Sequence, residues 1–147
     1  MLFDDNVEIV RALDKDNRNS TCDGFTCIYK DNIFIIYKKS NNIGRTRFTI
    51  AHEFGHIVLL HLNKLVNDDY EREANMFAAR ILMPMCVIKE CKAFTPQAIS
   101  NLCGVSLTAA TYRANRLQEL LQRNKFYTSP YEVKLVKQFK KFIKQNN

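Results

Sequence analysis

Glycine and proline are scarce in this chain, four and three in 147 residues, and no low-complexity tract or internal repeat is present. That excludes collagen-like and Pro/Gly-rich disordered chains. No apolar run approaches the roughly 20 residues of a membrane span. The N-terminus, "MLFDDNVEIVR", carries acids where a secretory leader carries bases. A cytoplasmic protein without a membrane partner is therefore expected. The five cysteines are odd in number and include no C-x-x-C pair, which argues against a zinc ribbon or a thioredoxin-like redox site. Cys22, Cys27, Cys86, Cys91 and Cys103 read as reduced thiols, mostly small buried apolar groups. Histidine is as scarce as proline. There are three, and all lie in the fifteen residues "RFTIAHEFGHIVLLH".

What is present is a foldable composition, 46% hydrophobic and 25% charged, enough for one domain with a small appended part. The net charge of +7 is concentrated at the end of the chain, where residues 123–147 hold seven lysines and arginines against Glu132 alone. Val7, Val10 and Leu13 suggest a short amphipathic helix over residues 5–13. "FTCIYK" and "IFIIYKK" flank Asp31-Asn32 as a β-hairpin. "SNNIGRT" reads as a polar loop, with Thr49 as the cap of the helix that follows. Helices are expected over 50–62, 69–83, 96–102, 107–122 and 130–144. A small hairpin or sheet packed on helices makes the fold class α+β.

Within the histidine-bearing stretch, "HEFGH" sets His52 and His56 four residues apart. At about 100° per residue, four helical steps return to nearly the same face, so both imidazoles can ligate one cation. Glu53 lies about 100° round from His52, placed to take a proton from an attacking water rather than to bind the ion. Ile50, Phe54, Ile57 and Val58 are the residues expected to bury the helix. A catalytic site of this type takes three protein ligands and leaves a position open. His61 follows His56 by five residues with no helix-breaking glycine between them, so it reads as a helix-end or pocket-rim residue. The next helix, "DYEREANMFAARILMP", has Tyr70, Ala74, Phe77, Ala78 and Ile81 as its apolar stripe. Glu71 and Glu73 flank that stripe about 200° apart, so only one can face the ion. Spacing favours Glu71 mildly, and Asn75, one turn on, is placed to orient a ligand.

"RFTIAHEFGHIVLLH" followed by "EREANMFAARILMP" resembles the ImmA/IrrE family of zinc-dependent, peptidase-like proteins of bacteria, mobile elements and phages, over about residues 24–121. The resemblance implies a zincin-like core. It also implies zinc ligands at His52, His56 and Glu71, with Glu53 as the catalytic carboxylate. His/His/Glu sites with an open position favour zinc, with manganese and iron as the other candidates. Members of the family act as anti-repressors or stress regulators that cut a helix-turn-helix repressor, so a repressor is the implied partner. Some larger members carry a further sensory domain after the helical part, whereas this chain ends in a basic segment. The expected organisation is a metallopeptidase core over 1–90, a helix-turn-helix-like part over 91–123 and a basic helical tail over 124–147.

"ISNLCGVSLTAATYRANRL" has Gly104 at a turn, Val105 and Ser106 opening a second helix, and Tyr112, Arg113, Asn115 and Arg116 decorating it. Packing against the peptidase core is the preferred reading, and contact with DNA bases is the alternative. Ser100, where helix packing favours a small apolar residue, weakens the DNA case. In the tail, Leu135, Phe139, Phe142 and Ile143 share a face. Its lysines are either solvated or a phosphate-attracting arm. Tyr70, Tyr112 and Arg113 are candidates for substrate or oxyanion contact. The competing reading is a non-proteolytic DNA- or protein-binding regulator with a structural metal. A role in a toxin–antitoxin pair ranks third.

Overall fold

The computed structural model describes residues 7–11, 23–30, 32–62, 67–124, 126 and 129–147. In chain order these form β1 (Val7–Arg11), β2 (Gly24–Tyr29), β3 (Asn32–Tyr37), α1 (Ile43–Val58), α2 (Asp68–Leu82), α3 (Met85–Glu90), α4 (Pro96–Cys103), α5 (Leu107–Gln122), α6 (Pro130–Gln138) and α7 (Lys140–Gln145). The fold is α+β, as expected. The chain divides into two compact units, Met1–Ala78 and Ala79–Asn147.

In the first unit β3 is the central strand, with β1 parallel on one side and β2 antiparallel on the other. β1 corrects the expectation of an N-terminal helix. Its β-branched residues pair with β3 from Val7↔Ile33 to Arg11↔Tyr37, and this strand pairing overrides a weak helical spacing. The rest of that expected helix lies outside the described residues. The hairpin forms, but Tyr29 pairs with Asn32, so Asn32 belongs to the strand. Lys30 takes a positive φ of 48° where the chain leaves β2, and Asp31 lies outside the described residues. Side chains alternate along a strand, so the register places Gly24 and Thr26 on the same face as Ile35. Ile33 and Ile35 on that face are buried with Ile57 of α1 and the half-buried Leu62.

α1 begins seven residues before the expected start. Asn42, not Thr49, is its N-cap, and the Asn42 side chain accepts from the Arg45 backbone N–H at 3.1 Å. The first turns carry Arg45 and Arg47 into solvent, and Arg45 pairs with Asp23 at 2.6 Å. A solvated helix start without apolar periodicity reads as loop from sequence. Its buried residues are Ala51, Glu53, Gly55 and Ile57, which is not one stripe. Glu53 and Ile57 share one side of the helix, Ala51 and Gly55 the opposite side. Of the residues expected to bury the helix only Ile57 is fully buried, and Phe54 is exposed. The cause is cover on two opposed sides. A Cβ at Gly24 would stand 2.6 Å from Thr49 Cγ2, so β2 lies directly against α1. On the far side, a Cβ at Gly55 would meet Phe77 Cδ1 at 3.1 Å and Ala74 Cα at 3.3 Å. α2 buries Ala74 and Ala78 completely, while Ile81 of its expected stripe is exposed. Its first-turn acids Asp68, Asp69 and Glu71 suit the positive end of the helix dipole.

In the second unit Pro84 follows α2 and leads into α3, an element absent from the expectations. Met83, Ile88, Ala93, Ile99, Val105, Ala110, Ala114 and Leu117 form one core. α4 ends at Gly104 in a left-handed conformation and α5 is capped by Ser106, so the expected turn between two helices is present. Ser100 is accommodated by donating its hydroxyl to Val105 O at 2.7 Å. Arg113 turns inward, Nε to Met83 O at 2.8 Å, and burial followed by the neighbouring Arg80 brings its pKa down to about 10. The tail is helical but breaks at Phe139. Leu135, Phe142 and Ile143 pack with Cys86, Val87 and Cys91, whereas Phe139 of the expected face is exposed. Lys134, Lys137, Lys140, Lys141 and Lys144 stay in solvent. Cys27, Cys86, Cys91 and Cys103 are free thiols, and burial pushes those of Cys86 and Cys91 upward. No described helix is long and apolar enough to cross a membrane.

The α1–α2 approach leaves no room for a branched side chain at position 55. Gly55→Val is expected to destabilise the protein by about 1–3 kcal/mol in urea unfolding, because Ala74 contributes backbone that cannot rotate away.

Candidate metal centre

Helical spacing brings His52 and His56 onto one flank of α1, between the side that meets the sheet and the side that meets α2. Their Nε2 atoms are 3.0 Å apart. Glu71 reaches them from the first turn of α2, its Oε2 3.3 Å from His52 Nε2 and its Oε1 3.4 Å from His56 Nε2. Two atoms bonded to one ion at zinc–nitrogen lengths of about 2.0–2.1 Å, at a tetrahedral angle, stand about 3.3 Å apart. The two imidazole nitrogens, and each of them with one oxygen of the Glu71 carboxylate, fall near that separation, and among the described residues these three side chains are the group that could hold a metal ion.

The hydrogen bonds on the far side of each ring sharpen this. His52 Nδ1 is 3.0 Å from Asn75 Oδ1, an acceptor, so it is the protonated nitrogen. His56 Nδ1 is 3.1 Å from His61 Nδ1, whose other nitrogen is 3.1 Å from Glu73 Oε2. The carboxylate only accepts, so His61 donates from Nε2, and in its neutral form the Nδ1 of that ring accepts from His56. Both facing Nε2 atoms then present lone pairs, which repel at 3.0 Å unless a cation lies between them. The chemistry of the donor set therefore fits a metal ion.

Glu53 leaves the same helix toward the sheet. Its Oε2 accepts from Thr26 Oγ1 at 3.0 Å, and the residue is 8% exposed. Burial pushes its carboxyl above the ordinary range, against the Thr26 hydrogen bond and the neighbouring His52, with Glu71 adding to the rise. Burial and, after it, His52 hold the His56 imidazole below its ordinary value, with Glu71 opposing and His61 reinforcing.

Thus His52, Glu53, His56, Glu71 and Asn75 are brought together within the first unit. Tyr70 is there too, its ring stacked on His61 at 4.5 Å. Tyr112 and Arg113 belong to the second unit, Tyr112 exposed and Arg113 bonded to Met83 O. One burial and two contacts lay beyond the sequence reading. His61 closes the end of α1, as the helix-end reading expected, but at 6% exposed it is buried and not at a rim. Glu73, on the side of α2 away from Glu71, holds it, and Thr26 holds Glu53. Thr26 could have been found from strand alternation once the hairpin register was set, whereas nothing in the spacing pairs Glu73 with His61.

His56 gives a pH test. Its folded pKa lies below the unfolded value, so as pH falls through about 6.5 the unfolded chain gains a proton that the folded site refuses, and stability is lost. In the metal-free protein, the fall in Tm between pH 7.5 and 5.5 is expected to be steeper for the parent than for His56→Gln. Equal slopes in the two would contradict it.

Among curated proteins none matches the chain. The family model of the IrrE N-terminal-like domain, Peptidase M78, matches residues 9–115, more than two thirds of the chain and all of the residues just described in the first unit. This match supports a metallopeptidase role, and with it a protein substrate. His52, His56 and Glu71 sit together as a possible metal site, and the chain belongs to the M78 peptidase family, whose domain is that of the IrrE N-terminus.

Proposed function

We propose that the protein is a zinc-dependent endopeptidase that cuts a helix-turn-helix transcriptional repressor in the bacterial cytoplasm. It would thereby act as the anti-repressor of a mobile element, a phage or a stress regulon. The observation that carries the peptidase reading is the convergence of two imidazole nitrogens and the Glu71 carboxylate, within 3.0–3.4 Å of one another, beside a buried carboxylate that is not among them. His52, His56 and Glu71 would hold the ion and Asn75 would orient His52. A His/His/Glu set favours zinc over manganese or iron. Bound there, zinc supplies Lewis acidity, lowering the pKa of water toward about 7 and polarising an amide carbonyl.

Glu53 takes the proton of the attacking water and returns it to the departing amine nitrogen, so one carboxylate serves as base and then acid. Its burial suits the second step, since a carboxyl raised above its ordinary range holds a proton nearer neutral pH. Thr26 fixes Oε2, so the carboxylate does not swing. Of the side chains considered for substrate contact, Tyr112 has a free ring surface, Tyr70 is stacked on His61, and Arg113 has its Nε committed to Met83 O. The inward turn of Arg113 also removes one of the side chains that a base-reading helix would offer, which lowers the non-proteolytic DNA-binding reading. The repressor substrate rests on the resemblance to ImmA/IrrE proteins. The solvated lysines of α6 and α7 support phosphate attraction that would keep the enzyme near a DNA-bound substrate.

Glu53→Gln is expected to keep one zinc per chain, measured by metal analysis, and to lose cleavage by about 100-fold or more. Immobilised, the same variant is expected to capture a helix-turn-helix repressor from native lysate that wild type with zinc cuts at one site. Recovery of uncut DNA-bound partners alone would favour the regulator reading.

A further inference from the structure

We propose that His61 and Glu73 form a positioning pair that sets the tautomer of His56 and so presents its Nε2 lone pair to the ion. The inference rests on the metal-centre reading above and extends it to two residues outside the ligand set. The His61 side chain is 3% exposed, yet both ring nitrogens are engaged, Nε2 by Glu73 at 3.1 Å and Nδ1 by His56 at 3.1 Å. A buried imidazole with both nitrogens occupied in this order transmits a requirement. The carboxylate accepts the proton of His61 Nε2, the neutral ring then accepts at Nδ1, and His56 carries its proton on Nδ1. The opposite tautomer would put a hydrogen on His56 Nε2, where the ion belongs. A carboxylate at the end of such a chain also makes the ligating imidazole a better donor.

The chain conformation is specialised to hold His61 there. α1 ends in a Schellman turn: Leu60 N–H bonds to Ile57 O at 3.1 Å and His61 N–H to His56 O at 2.9 Å. The residue in the left-handed position is Leu60, φ 58°, where glycine is the usual occupant. Leu60 is 65% exposed, so its side chain recovers little of that strain by packing. What the turn achieves is to fold His61 back beside His56, where Tyr70 stacks on it with the rings 26° from parallel. α2 thereby supports both histidines, His52 through Asn75 and His56 through Glu73 and His61.

The test is zinc affinity, measured by competition with a chromophoric chelator at fixed pH, in the full chain. His61→Phe keeps volume and ring stacking but removes the acceptor, and its affinity is expected to fall about 10–100-fold. His61→Asn loses the ring but can place an acceptor oxygen where Nδ1 stood, and is expected to stay within about three-fold of wild type. A purely structural role for His61 predicts the reverse order, and that order would overturn the proposal. Should His61→Phe fail to fold, Glu73→Ala on the solvent side of α2 decides: an affinity lowered at least about three-fold supports the pair, and an unchanged one overturns it. Wild type that takes up no stoichiometric zinc would overturn the metal-centre reading itself, and this proposal with it.

Discussion

The approach of α1 to α2 at Gly55 and Ala74 is the constraint on which the site depends. A Cβ on Gly55 would lie 3.3 Å from Ala74 Cα and 3.4 Å from Ala74 O, so the helices meet nearly backbone to backbone. Only at that separation does the short reach of Glu71 bring its oxygens within 3.3 and 3.4 Å of the two histidines. Ala74 and Ala78 on α2 serve the same end, both wholly buried with no side chain to hold the helices apart. The two middle positions of the HEFGH run are therefore not equivalent. Phe54 faces partly outward, and Gly55 is where the partner helix rests.

The opposite side of α1 is set by the sheet. Two residues along a strand advance about 7 Å and four along a helix about 6 Å, so Gly24 against Thr49 and Thr26 against Glu53 are matched contacts along parallel tracks. α1 is thus clamped between β2 and α2, with the histidines on the flank between. This explains how one short helix directs the Glu53 carboxylate and two imidazoles differently. Glu53 is buried toward the strand, where a hydroxyl meets it, and the imidazoles emerge where the second helix supplies the carboxylate.

In the second unit, polar side chains that suggested surface chemistry are partly consumed by the fold. Arg113 closes on Met83 O, and Ser100 on Val105 O. The lysines of α6 and α7 remain in solvent because the apolar residues between them dock against Cys86, Val87 and Cys91. An amphipathic helix with a basic outer face therefore arises from packing needs, and its charge remains free to attract phosphate.

The sequence alone determined what depends on chain-local periodicity. His52 and His56 share a face because four residues make nearly one helical turn, and Leu107–Gln122 is a helix because its apolar positions recur and Ser106 caps it. The hairpin was legible for the same reason, with its turn one residue earlier than the composition suggested. Local signals fail where a partner distant in sequence decides. β1 is a strand because β3 offers it an edge, and α1 starts at Ile43 because Asn42 caps a solvated turn that carries no apolar pattern. Spacing favoured Glu71 over Glu73 only mildly and the resemblance singled it out, and the crossing of two helices is what separates them physically. Thr26 on Glu53, and Glu73 through His61 on His56, join residues 27 and 12 positions apart. Such bonds follow from the approach of whole elements, which is a property of packed surfaces and appears only once the chain has folded.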